Sequence, residues 1–136
     1  MSHDPIDGLI LEQVAEAVIF ANNEGVIERW NAAAVMMFGF TASEALGQNL
    51  DLVIPEHLRK AHWRGFDAAT RNGKTRLRGR PTLTRGLHKT GQKLYVEMSF
   101  ALVMDANGSP LGSVAVARDA TERVEREKAA VAAQPR

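Results

Sequence analysis

The chain has no cysteine. That absence excludes disulfides, thiolate nucleophiles, iron–sulfur ligation and cysteine-based zinc sites together, so a metal would have to be held through histidine, carboxylate or a prosthetic group. Four histidines become the residues to watch. No apolar run approaches the roughly 20 residues that span a bilayer, and Met1-Ser2-His3-Asp4-Pro5 lacks the basic start of a signal peptide. A cytoplasmic chain without membrane contact is expected. Also missing are a Ser-His-Asp set, paired carboxylates, a glycine-rich phosphate loop and a His-x-x-x-His pair; His57 and His62 are five apart, on different sides of a helix. Enzyme activity is therefore not expected. What remains is ordinary globular composition: 136 residues, 45% hydrophobic and 24% charged, with 11 Gly and 5 Pro. That is one domain's worth of chain, too short for a sensor and an effector together.

Charge is unevenly spread. From Arg59 to Lys93 there are eleven Lys or Arg and one acid, Asp67, a net +10 against −9 elsewhere, giving the chain's +1. A basic block can serve nucleic acid or an anionic ligand. Here only Trp63 and Phe66 are available for base stacking, so a solvated basic face is the expected reading and nucleic-acid binding a distant one.

Apolar spacing and turn chemistry lay out the elements. Asp4 as N-cap and Pro5 at the first helical position open a helix carrying Ile6, Leu9, Ile10 and Val14 on one stripe. Residues 17–21 and 26–30, joined through Asn22-Asn23-Glu24-Gly25, predict a hairpin. Asn31 caps a helix that Gly39 stops; Thr41 and Glu44 have capping-box spacing for a shorter one closed by Gly47. Pro55 begins a long helix to about Arg71, with Leu58, Ala61, His62, Gly65, Phe66 and Ala69 on one side. His62 thus points inward, whereas His3, His57 and His88 are expected at the surface. Three strands follow, over 76–88, 93–104 and 110–118, turning at His88-Lys89-Thr90-Gly91 and Asp105-Ala106-Asn107-Gly108. In the first, Leu77, Gly79, Pro81 and Leu83 share one face and Arg76, Arg78, Arg80, Thr82 and Thr84 the other. In the second, Leu94, Val96, Met98, Phe100 and Leu102 form an apolar face. The fold class is α+β, built on antiparallel strands. The last helix, from Ala120, has only Ala120, Val124 and Val131 as an apolar stripe, which predicts an extension pairing with another chain. Asp119 is expected to bond structurally, to Arg123, and Trp30 to be a hydrogen-bonded core aromatic.

Four strings, spanning about Leu9 to Arg123, resemble the PAS sensory family: Gly25 to Ala34 with Phe38-Gly39-Phe40; Glu44 to Asn49 leading to Ile54-Pro55-Glu56; Lys89-Thr90-Gly91 before Tyr95 to Ser99; and Arg118-Asp119-Ala120-Thr121-Glu122-Arg123. The resemblance implies a PAS fold: a five-stranded antiparallel sheet flanked by short helices. It implies an N-terminal cap helix over 1–16, a PAS core over 17–118 and a signalling helix and tail over 119–136. It also implies a sensory, non-enzymatic module that reads a small ligand or cofactor state and passes it through the last helix to a partner. Relatives that use a flavin–cysteinyl adduct or a thioester-linked chromophore are excluded by the lack of cysteine.

Within that family, Ile54 to His62 resembles, without a gap, the helix start of heme-bearing oxygen-sensor kinases of the FixL type. The resemblance places His62 at the iron-ligand position, Arg80 at the distal arginine after a link two residues shorter, and Met98 and Phe100 among the apolar distal residues. Those four are the candidate cofactor-binding residues, His62 being the candidate metal ligand. A second arginine of those sensors, which contacts a heme propionate, corresponds here to Ala68; Arg64, Arg76 or Arg78 could substitute. The string His62-Trp63-Arg64-Gly65-Phe66 also resembles heme-free PAS domains, where the histidine is a core or capping residue. Two expectations therefore stand: a heme b gas or redox sensor through His62, or a heme-free domain that takes a small organic ligand or none and serves for dimerisation or docking. In either, a homodimer through the terminal helices is expected, with an effector such as a kinase on another polypeptide, unless the chain is a piece of a longer one.

Overall fold

The computed structural model describes residues 5–74 and 79–135. Helix α1 (Pro5–Gln13) leads to strands β1 (Ala17–Asn22) and β2 (Ile27–Trp30), then helices α2 (Ala32–Phe38) and α3 (Ala42–Ala45). A 3-10 turn (Leu50–Val53) and the long helix α4 (Glu56–Asn72) follow, before β3 (Thr82–Leu87), β4 (Lys93–Met104), β5 (Pro110–Asp119) and α5 (Thr121–Ala132). The strands form one five-stranded antiparallel sheet in the order β2-β1-β5-β4-β3. This is the α+β architecture expected. No helix of the described residues is long and apolar enough to cross a membrane.

Local chemistry explains most boundaries. The hairpin turn is held by the Asn22 side chain, whose Oδ1 accepts from the Glu24 and Val26 amides at 3.0 and 3.1 Å. Gly25 takes φ +80°, and the Trp63 ring lies where a Cβ would stand, so no other residue fits there. Asn31 caps α2 by accepting from Ala34 N at 3.0 Å, and Gly39, left-handed at φ +84°, ends it. Thr41 and Glu44 form the expected capping box around α3. The α4 helix ends at Gly73, again left-handed. Asp4, the expected cap of α1, lies outside the described residues.

The core lies between the inner face of the sheet and α2, the 3-10 turn and α4. Ile19, Ile27, Trp30, Phe38, Leu94, Val96 and Ala117 are buried in it. Trp30 is a hydrogen-bonded core aromatic, donating to the Phe40 carbonyl at 3.0 Å and lying 5.6 Å from the Phe38 ring. His57 is exposed; His88 is half-buried, its Nδ1 accepting from Thr90 N; His3 lies outside the described residues.

Three local expectations are corrected. The strand expected over 76–88 begins only at Thr82; Gly79, Arg80 and Pro81 are exposed ahead of it, and 75–78 lie outside the described residues. Its inward face is Thr82, Thr84 and Gly86, while Leu83 is 49% exposed, because pairing with β4 sets Thr82 opposite Met98 and Thr84 opposite Val96, both on the core face. Arg123 does not bond Asp119: it pairs with Glu97 on β4 at 3.4 Å, and Asp119 accepts from Thr121 N at 2.9 Å.

The two terminal helices differ in how they attach. The first turn of α5 docks on β4: Tyr95 N donates to Thr121 Oγ1 at 2.9 Å, Ala120 N donates to the Tyr95 carbonyl, and Ala120 and Val124 are buried. Beyond it Val131 is exposed. Helix α1 buries no residue, and Ile6, Leu9 and Ile10 are each about half exposed.

Candidate functional site: an apolar cavity under helix α4

The inner face of the sheet and the helices above it enclose a cavity of about 400 Å3, within the range of small-molecule and cofactor sites. Its floor is Ile19 and Ala21 of β1, Val96, Met98 and Phe100 of β4, and Ser113 and Ala115 of β5. Its roof is Leu50, Val53 and Ile54 around the 3-10 turn with Leu58, Ala61 and His62 of α4. Thr82, Thr84 and Gly86 of β3 close one edge. Gly86 is closely packed: a Cβ there would stand 3.0 Å from a Val96 methyl and 3.1 Å from the Phe38 ring, so either neighbour would have to give by a few tenths of an ångström.

The helix is fastened to the turn before it, which fixes where His62 sits. Trp63 Nε1 donates to Asp51 Oδ1 at 2.8 Å, and Arg59 donates to the carbonyls of Ile54 at 2.9 Å and Asp51 at 3.2 Å. The His62 ring meets Trp63 edge-on at 4.7 Å and lies 6.1 Å from Phe66. Its Nδ1 is buried without a hydrogen-bond partner. Burial pushes the imidazole below its usual pKa, with the Asp51 charge opposing in part, so the ring is neutral at neutral pH.

Three of the four candidate site residues come together here: His62, Met98 and Phe100 all line the cavity. Arg80 does not; it is exposed, ahead of β3. Arg85 borders the cavity, but its guanidinium is turned away from it, 5.6 Å over the Tyr95 ring. Arg64 is exposed, Ala68 is half-buried, and Arg76 and Arg78 lie outside the described residues. Thr82, Thr84 and Ser113 were not anticipated as site residues. The signal that could have found them is the alternation of β4, which through antiparallel pairing dictates the inward face of its neighbours.

The donor set limits the metal chemistry. Among the described residues no three His, Asp or Glu side chains gather to hold an ion. A single neutral imidazole such as that of His62 would instead suit an iron whose other ligands come from a macrocycle. The orphaned Nδ1 and the largely apolar lining fit a heme in that respect.

Comparison with known proteins agrees with the architecture. The chain is 29% identical over 111 residues to the oxygen sensor protein DosP of Escherichia coli, covering 82% of this chain and 14% of that protein. It is 27% identical over 113 residues to the sensor protein FixL of Bradyrhizobium diazoefficiens, covering 83% of this chain and 22% of that protein. It therefore spans less than a quarter of either relative. Among solved structures, a PAS domain from Colwellia psychrerythraea superposes with a TM-score of 0.73 at 22% identity, over 88% of this chain and 100% of that one. An RNA-binding light-oxygen-voltage receptor gives 0.72 at 24% identity, over 90% of this chain and 34% of that one. Both show the fold. The PAS fold model matches residues 9–120, from the middle of α1 to the start of α5, and the chain belongs to the PAS family.

Proposed function

We propose that this chain is a cytoplasmic sensory domain that holds heme b through His62 and reports the gas or redox state of that group to a partner protein. The observation that carries the reading is the buried, unpartnered Nδ1 of His62 at a cavity lined mainly by aliphatic, aromatic and hydroxyl-bearing residues. Kinship with an oxygen sensor protein supports it. Heme, when bound, supplies a site for a diatomic gas or a one-electron change. The residues of the chain do the rest. Leu58, Met98 and Phe100 exclude water, and burial keeps His62 deprotonated and ready to ligate. Strand β4 connects the cavity to the outside, since Val96 and Met98 face inward while Tyr95 and Glu97 hold the first turn of α5. A displacement of β4 reaches α5 through those contacts, with no enzymatic step in this domain.

The test is an absorption spectrum of protein expressed with heme supply. A strong Soret band that is lost in His62→Ala is the expected result; aromatic absorption alone overturns the reading. One observation favours a second reading, in which a small apolar ligand fills the cavity: among the described residues the arginine that borders it, Arg85, has its guanidinium over Tyr95 and does not stand ready for a propionate. The same spectrum separates the two.

Dimerisation belongs to the proposal as well. Ile6, Leu9 and Ile10 of α1 and Val131 of α5 are exposed apolar residues on the terminal helices, and pairing two copies would cover them. Light scattering should give twice the chain mass, falling to one on removal of residues 120–136; an unchanged mass removes α5 from the interface.

A further inference from the structure

We propose that Thr82, with Thr84 beside it, is the hydrogen-bond donor that the sheet presents to a diatomic gas in the His62 cavity, in place of Arg80. This rests on the heme reading for the identity of the ligand. The assignment of the donor rests on position.

Helix α4 runs along β4. At its start, Val53 of the preceding turn lies beside Gly86, which pairs with Leu94 near the beginning of β4. At its end, the Cβ position of Gly73 is 3.7 Å from the methyl of Met104, the last residue of β4. His62 comes about midway along this path, over the part of β4 where Met98 and Phe100 line the cavity. Thr82 pairs with Met98 and Thr84 with Val96, so both threonines flank that stretch on the cavity face. Ser113 also lines the cavity, but pairs with Leu102, two cavity-facing rows from Met98.

Among the described residues, the arginines near the cavity are directed elsewhere. Arg80 is exposed ahead of the strand and contributes nothing to the lining. Arg85, one residue off in register, sends its guanidinium over Tyr95 on the outer face. The Thr82 and Thr84 hydroxyls, by contrast, are half-buried and have no hydrogen-bond partner among the described residues. A hydroxyl can rotate to donate to whatever acceptor arrives, and a threonine held at χ1 by its branched Cβ does so with little loss of freedom. A gas that acquires partial negative charge on binding is the kind of acceptor such a donor stabilises.

The test compares wild type with Thr82→Val, Thr82→Ser, Thr84→Val, Ser113→Ala and Arg80→Ala, each loaded with heme and matched for Soret absorbance per chain. The readouts are the infrared stretch of bound carbon monoxide and the oxygen dissociation rate. Expected are a higher carbon monoxide frequency and a roughly three- to tenfold faster oxygen release in Thr82→Val, the scale of one neutral hydrogen bond. Thr84→Val should give a smaller change, Thr82→Ser should restore wild-type values, and Ser113→Ala and Arg80→Ala should show none. Should Arg80→Ala move both readouts while Thr82→Val moves neither, the proposal is overturned and the heme reading stands. If wild type shows no Soret band, both fall together.

Discussion

Asn31 and His62 are both polar side chains set against the apolar interior, and their surroundings differ sharply. Asn31, at the junction of α1, β1 and α2, uses its whole side-chain amide. Its Oδ1 accepts from Val18 N and Ala34 N at 2.9 and 3.0 Å, and its Nδ2 donates to the carbonyls of Leu11 and Glu16 at 2.9 and 3.0 Å. His62, at the cavity roof, has a buried nitrogen that bonds nothing. A polar group that is buried and fully paired has been built into the fold; one that is buried and unpaired costs stability and persists where something outside the fold uses it. The first region is a structural knot; the second is the wall that the proposed function assigns to binding.

Removing each side chain should show this in opposite directions. Asn31→Ala strands two amides and two carbonyls in or near the core, so urea unfolding should show a loss of about 3 kcal/mol, the largest effect here. If the loss is under about 1 kcal/mol, Asn31 is only a helix cap and the contrast fails. His62→Leu removes an unpaired nitrogen and fills the same space with methyl groups. Stability should rise by about 1 kcal/mol while heme uptake disappears. A large destabilisation instead would make His62 a second structural residue.

The same substitution predicts a pH signature. Burial lowers the His62 pKa, so between pH 6.5 and the lower folded-state value the unfolded chain binds more protons than the folded one. The contribution is therefore fully present above pH 6.5 and is lost as pH falls through that window. Unfolding free energy of the heme-free protein should drop on acidification below pH 6.5 more steeply in wild type than in His62→Leu. Equal slopes in the two proteins would mean that the ring is solvated.

How much of this could be read from the sequence follows the range of the interactions. The helix starts at Asn31 and Thr41, the stop at Gly39, and the hairpin turn at Asn22 to Gly25 depend on neighbours a few residues away, and all were legible. So was the inward side of α4, from periodicity; the grouping of His62 with Met98 and Phe100 came from the resemblance to heme-bearing sensors. The rest depends on pairing across the chain. The inward face of β3 is set by its register on β4, which turned Thr82 and Thr84 toward the cavity and Leu83 away. Asn31 could be read as a cap for Ala34, but its bonds to Leu11, Glu16 and Val18 depend on how α1 and β1 come together. Arg123 chose Glu97, 26 residues away, over Asp119, because the first turn of α5 lies on β4.

That last choice supplies the smallest and sharpest test of the comparison. Arg123 is well connected: its guanidinium reaches Glu97 Oε2 through both terminal nitrogens at 3.4 Å, and its Nε lies 3.9 Å from Glu127. By number of partners it rivals Asn31. It differs in that its side chain is 43% exposed, so water competes for every contact and screens the charges. Arg123→Ala should therefore change stability by no more than about 0.5 kcal/mol, and the small effect should shrink further in 1 M salt. Should the loss instead match that of Asn31→Ala, the count of partners rather than their burial would govern stability here. The separation between structural knot and binding wall would then lose its physical basis, because it depends on what an unpaired group costs when water cannot reach it.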